Sequence, residues 1–228
     1  MSRGFFITFE GLDGSGKSTQ LAGLKAWLEA RGESVTATRQ PGGTHIGDGI
    51  RGLLLDSRTH DLSPLAELGL MFADRAQSIA EVIGPALERG DVVLCDRFTD
   101  STEAYQGGGR QLGSRIVLDL HARLCGGLQP DLTFLLLPNL RRALQRARRR
   151  NARSDAEGSP GANENRFERE DQAFYRRVLD KYREIAARES GRVAVIEGDG
   201  SIDEVREQIA KRTEEQLLLR ASHEKGRS

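Results

Sequence analysis

Residues 11–18 read GLDGSGKS, and no other part of the chain restricts the fold so tightly. The octet follows a compact apolar run, Phe5, Phe6, Ile7, Thr8 and Phe9. It precedes Leu21, Leu24, Trp27 and Leu28, which recur at helical spacing until Gly32 interrupts them. Strand, glycine loop and helix in that order satisfy the pattern GxxxxGK(S/T). Glycines let successive backbone N–H groups turn inward around an anion, and the helix starting near Lys17 adds the positive end of its dipole there. The octet, with Thr19 after it, therefore reads as a loop cradling the phosphates of ATP, made of Gly11, Leu12, Asp13, Gly14, Ser15, Gly16, Lys17, Ser18 and Thr19. Lys17 is expected to neutralise charge on the β and γ phosphates, and the Ser18 hydroxyl to be a ligand for Mg2+. A chance glycine turn with a surface lysine is the plainer alternative, but it leaves the flanking strand and helix unexplained.

The same alternation returns downstream. Short apolar runs at 34–38, 92–95, 132–137 and 193–196 are separated by helical stretches. With the first run they predict an α/β fold, a five-stranded parallel sheet flanked by helices and joined by right-handed crossovers. Ser201 with Glu204 reads as the capping box of a last helix, whose apolar face continues through Val205, Ile209 and Leu217. No composition break divides the 228 residues, so 1–220 is read as one domain and 221–228 as a polar, frayed tail. Residues 151–165, NARSDAEGSPGANEN, are polar and rich in Gly, Asn and Ser between helical patterns. They read as a long mobile loop, either dispensable or part of a lid at about 146–167.

Lys plus Arg and Asp plus Glu number 34 each, so no global field recruits nucleic acid or an anionic membrane, and any anion site must be built locally. Basic residues nonetheless crowd into 141–153, where Arg141, Arg142, Arg146, Arg148, Arg149, Arg150 and Arg153 form either a solvated helix face or a mobile phosphate clamp. The two cysteines, Cys95 and Cys125, have neither zinc-site spacing nor the density of a disulfide framework, and read as small core residues in a reducing cytosol. The amino-terminal apolar run is too short for a signal peptide or a membrane span, and a cytoplasmic protein is expected.

Asp96 and Arg97 end the strand run VVLC, at the edge where ligands bind in open parallel sheets. They read either as a carboxylate that organises Mg2+ beside an anion-binding arginine, or as a structural pair capping a strand. The wider context resembles bacterial thymidylate kinases over residues 5–209. FEGLDGSGKST, RQPGGT at 39–44, LMFADRAQ at 70–77 and DRFTDSTEAYQGGGR at 96–110 are each similar to a motif of that family. The resemblance implies ATP-dependent phosphorylation of dTMP to dTDP, a P-loop kinase fold with a mobile lid, and a symmetric homodimer. It also implies a set of site residues. Phe72 gives thymine an apolar face, Arg75 donates to its O4, and Thr102 with Gln106 meets the N3 edge, with Ser101 beside them. Tyr105 lies against the 2′ carbon of the sugar, Asp13 accepts from the 3′ hydroxyl, and Arg97 and Arg51 hold the acceptor phosphate. Cytosine would turn an amino group toward Arg75 and leave two donors facing each other.

Phosphoryl transfer between two anions needs alignment and charge neutralisation rather than a general base, so none of the four histidines is assigned. Mg2+, Lys17, Arg97 and a further arginine are expected to act on the transferring group. Some family members carry that arginine directly after the phosphate-loop aspartate, where this chain has Gly14. The resemblance then implies an arginine from the lid, with Arg149 and Arg153 assigned and Arg150 and Arg166 as further candidates. Three departures stand out. Phe72 is three residues before Arg75 where four is usual, which puts Met71 in the usual slot; Gln40 replaces a glutamate before Pro41; and NRFE at 165–168 replaces DRFE. The rival readings are a kinase for another nucleoside monophosphate or deoxynucleoside, and a nucleotide-dependent switch, for which no NKxD-type run is found.

Overall fold

β1 (Phe5–Gly11) is buried along its whole length, which accounts for a sequence that runs apolar without the alternation of a half-exposed strand. The computed structural model describes residues 3–56, 58–59, 61–137, 145, 166–197 and 200–225. In it β1 is the middle of a five-stranded sheet in the order β2-β3-β1-β4-β5, completed by β2 (Val35–Arg39), β3 (Val92–Asp96), β4 (Leu132–Leu137) and β5 (Val193–Glu197). Every pairing is parallel; Phe5 pairs with Val92 and Ile7 with Leu132. The expected architecture is therefore present.

Alternate residues of β1 feed opposite layers. Phe5, Ile7 and Phe9 pack with Leu24 and Leu28 of α1 (Lys17–Glu29) and with Val205 and Ile209 of the last helix. Phe6 turns the other way, to Ile83, Leu87, Val93 and Phe98. Thr8 and Glu10 share that second face, where the Thr8 and Thr133 hydroxyls lie 2.8 Å apart. A third cluster joins Leu12 and Tyr105 to Phe174, Val178 and Tyr182 of a long helix, α7 (Gln172–Arg188). Before it come α2 (His45–Leu55), α3 (Pro64–Ser78), α4 (Gly84–Arg89), α5 (Thr99–Thr102) and α6 (Ser114–Leu124).

The last helix, α8 (Ile202–Lys225), opens on the expected capping box: Glu204 N donates to Ser201 Oγ at 3.2 Å and Ser201 N to Glu204 Oε2 at 2.7 Å. It runs on to Lys225 rather than fraying after Arg220, because residues 214–225 contain neither glycine nor proline and consist mostly of good helix formers. Cys95 and Cys125 are both free and buried. Among the described residues no helix is long and apolar enough to cross a membrane.

Candidate active site

The loop after β1 closes tightly on β4. Gly11 has φ +127, and a Cβ there would come within 2.3 Å of the Leu136 carbonyl oxygen, so only glycine fits. Lys17 is buried and folds back along the loop, its Nζ donating to the Leu12 carbonyl at 2.9 Å and to that of Gly11 at 3.2 Å. Desolvation, reinforced by the Arg97 charge, pulls its pKa down to about 8. The Ser18 hydroxyl donates to Asp96 Oδ2 at 2.7 Å, and the other carboxylate oxygen of Asp96 is buried without a partner. An unpartnered buried oxygen beside a hydroxyl suits a hard cation that keeps most of its ligands from phosphate and water. Among the described residues no group of three or more His, Cys, Asp or Glu is placed to hold a metal.

Arg97 joins this loop to a second region. It leaves β3 with φ 72, unusual for a residue with a Cβ, and its backbone N–H is fixed to the Phe9 carbonyl at 2.9 Å. The guanidinium donates to the Gly11 carbonyl at 2.9 Å, to Ser101 Oγ at 3.0 Å and to Asp13 Oδ1 at 2.9 Å, and sits 5.2 Å from the Tyr105 ring centroid. The structure thus brings Asp13, Lys17, Arg97 and Tyr105 together. Ser101 is brought to the same place. Its hydroxyl is held by Glu10, Arg97 and Tyr182, and it supports Arg97 from behind.

Arg75 is almost wholly buried between the rings of Phe72 and Phe98, each 5.1 Å away. Its Nε donates to Gln40 Oε1 and one Nη to Thr102 Oγ1, both at 2.9 Å, while Nη1 has no partner. Gln40, the departure from the family pattern, therefore positions Arg75, next to a Gln40–Pro41 bond that is cis. Gln106 donates its NH2 to Glu67 Oε1 at 2.7 Å and leaves Oε1 buried and unpartnered. The Tyr105 hydroxyl is also buried, beside the Arg97 guanidinium. Arg51, on α2, donates to the Pro41 carbonyl at 3.0 Å.

Phe72 requires a correction. It is 0 % exposed and packs with Leu68, Val117 and Cys125, so its faces are already covered. Successive helix positions point about 100° apart, and the preceding side chain, Met71, is partly buried against the Leu12, Tyr105 and Phe174 cluster. Arg166 is likewise committed elsewhere, its Nε donating to the Leu54 carbonyl at 2.6 Å and its Nη2 lying 2.7 Å from Glu67 Oε2. Arg149, Arg150 and Arg153 lie outside the described residues.

Two buried carboxylates that hold site residues were not singled out by sequence reasoning. Glu10 is fully buried and accepts from Phe98 N at 2.7 Å, Tyr182 OH at 3.0 Å and Ser101 Oγ. Its signal was a carboxylate inside an otherwise apolar strand. Glu67, also fully buried, gave a weaker one, an acid on the apolar side of α3.

A glycine loop of the phosphate-binding pattern, with an arginine shared between it and a separate buried group of orphan donors and acceptors, is the arrangement of a P-loop nucleotide kinase. The sheet order and this edge of it put the molecule in that class of phosphotransferases. Comparison with known proteins narrows it. A family model described as thymidylate kinase matches residues 9–209. The thymidylate kinase of Pelobacter propionicus is 45 % identical over 220 residues, 96 % of this chain and 98 % of that protein. That of Solidesulfovibrio magneticus is 50 % identical over 204 residues, covering 90 % and 96 %. A crystal structure of thymidylate kinase from Ehrlichia chaffeensis superposes with a TM-score of 0.73 at 31 % identity, covering 93 % of this chain and 99 % of that one. The chain belongs to the thymidylate kinase family.

Proposed function

We propose that the protein transfers the γ-phosphoryl group of ATP to dTMP, giving ADP and dTDP. The observation that carries the choice of acceptor is a pair of buried orphans, the Arg75 Nη1 donor and the Gln106 Oε1 acceptor. A pyrimidine with a 4-oxo group and an N3–H answers both, whereas cytosine would set donor against donor and acceptor against acceptor. Met71, rather than Phe72, offers the base an adaptable thioether surface. Tyr105 limits space at the 2′ carbon, Asp13 takes the 3′ hydroxyl, and Arg97 with Arg51 receives the acceptor phosphate.

In the transfer, an acceptor phosphate oxygen forms the new bond to the γ-phosphorus as the bond to the β,γ-bridging oxygen breaks. The electron pair leaves with ADP, and no proton needs to move. Lys17 turns from the Gly11 and Leu12 carbonyls to the β and γ phosphates, and Arg97 brings the two anions together. Ser18 and Asp96 fit Mg2+, which would supply charge neutralisation at the phosphates of ATP. Arg149 and Arg153, from the lid, complete the charge on the transferring group.

A coupled assay of ADP formation with ATP and Mg2+ tests the reading, with thymidine, deoxyuridine, uridine, deoxycytidine and guanosine monophosphates as acceptors. The expected order puts dTMP first, and dUMP, which lacks only the methyl group, behind it by about tenfold. Preference for another acceptor would overturn the base assignment, and equal ATP consumption with no acceptor would overturn the kinase reading.

A further inference from the structure

An amide side chain has a donor end and an acceptor end of nearly equal shape, so a pocket that reads a base with glutamine must fix which end faces inward. Glu67 is 0 % exposed on α3, and Gln106 donates to its Oε1 at 2.7 Å. Arg110 sits on both its oxygens, with Nε at 3.3 and 3.2 Å and an Nη at 3.1 Å, and Arg166 Nη2 lies 2.7 Å from Oε2. Arg110 is itself held, by Glu170 at 2.6 Å and over the rings of Phe167 and Phe174 at 5.6 and 5.0 Å. A carboxylate clamped by two guanidiniums offers only acceptors, so only the NH2 end of Gln106 can satisfy it. The opposite end, Oε1, is thereby forced to be the buried, unpartnered atom.

We propose that Glu67 is a specificity-determining positioning residue, which fixes the amide of Gln106 so that its oxygen accepts the N3–H of thymine and refuses the N3 lone pair of cytosine. It touches no substrate and acts through Gln106. The proposal rests on the dTMP kinase reading given above. It goes further in assigning part of the base selectivity to an acid remote in sequence from the residue it controls. With Glu67 replaced by an amide, either end of Gln106 can be accommodated, and the selectivity supplied by its polarity is lost.

The test is kcat/KM for dTMP, dUMP and dCMP with the parent, Glu67→Gln, Gln106→Met and the double variant. In Glu67→Gln the dTMP to dCMP ratio should fall at least tenfold, while the dTMP to dUMP ratio, which N3 does not distinguish, stays within about twofold. A merely structural role would lower all three values by a common factor and leave the first ratio unchanged, which overturns the proposal. In the Gln106→Met background, adding Glu67→Gln should leave the ratio within about twofold; a further tenfold change would show another route and overturn it. If Glu67→Gln fails to fold, NMR of the intact parent decides. The Gln106 side-chain NH2 signals should keep their positions when dTMP is added, and their transfer onto the base would sink the idea. A parent that phosphorylates no pyrimidine monophosphate removes the function reading and this inference together; a parent selective for dTMP with an unchanged ratio in the variant removes this inference alone.

Discussion

Glu10 shows how much one carboxylate behind the ligand surface can control. Its three donors belong to the backbone after Arg97, to Ser101 and to Tyr182, so it holds the turn from which the Arg97 guanidinium reaches Gly11 and Asp13. Burial, with repulsion from Asp100, pushes it up from 4.5 to about 7, against the opposing effects of Ser101 and Arg97. An acid raised in the folded state contributes stability that is fully present below its unfolded pKa and is lost as pH rises through about 7. Glu10→Gln cannot ionise and loses nothing from this position over that range. Thermal melts at pH 5 and pH 8 should therefore show a smaller drop in Tm for Glu10→Gln than for the parent. Equal drops would mean that the carboxyl is not titrating across this window.

At the level of elements, π-helical turns continue α3 and α5. The first, Ile79–Ile83, is separated only by Gly84 from Pro85, which has no N–H to give and whose ring crowds the preceding turn. The second, Glu103–Gly109, follows α5 without a break and buries nearly all its residues, delivering Tyr105 toward Arg97 and Gln106 toward Glu67 from adjacent positions. Its last residue lies against α7. A Cβ on Gly109 would stand 2.5 Å from the Phe174 ring and 3.0 Å from Val178 Cγ2, and Phe174 is itself buried. Gly109→Ala should destabilise by roughly 1–3 kcal/mol, at about 2–4 °C of Tm for each kcal/mol. An unchanged Tm would show that α7 can shift freely away from the turn.

Across the whole molecule, long-range pairings assemble what no single element contains. Arg192 pairs with Asp100 at 2.8 Å and Arg188 with Glu103 at 2.8 Å, tying the carboxyl-terminal third of the chain to α5 and the turn that follows it. These are buried carboxylates, which hold their place only while paired. The proposed source of the remaining charge for transfer is Arg149 with Arg153, because Gly14 supplies none from the phosphate loop and Arg166 is engaged with Leu54 and Glu67. Replacing Arg149 and Arg153 together by alanine should lower kcat by about a hundredfold and leave the KM for dTMP within a few fold. Single-turnover rates that stay within a few fold of the parent would remove these two residues from the chemistry.

The sequence by itself determined the phosphate loop, the five strands and the roles open to Lys17, Ser18, Asp96 and Arg97, because each depends on neighbours in the chain or on hydrophobic period. The resemblance to a family, rather than local pattern, is what grouped Arg75 with Gln106 as proposed contacts to one base. Only the tertiary structure decided that Phe72 supports Arg75 while Met71 turns toward the Tyr105 cluster. Helical spacing says which residues share a face, but not which face meets the site. The partnership of Glu67 with Gln106, and of Glu10 with Tyr182, joins residues far apart in sequence. A buried carboxylate is stable only where the completed fold brings donors to it, and those donors come from elements the local sequence does not contain.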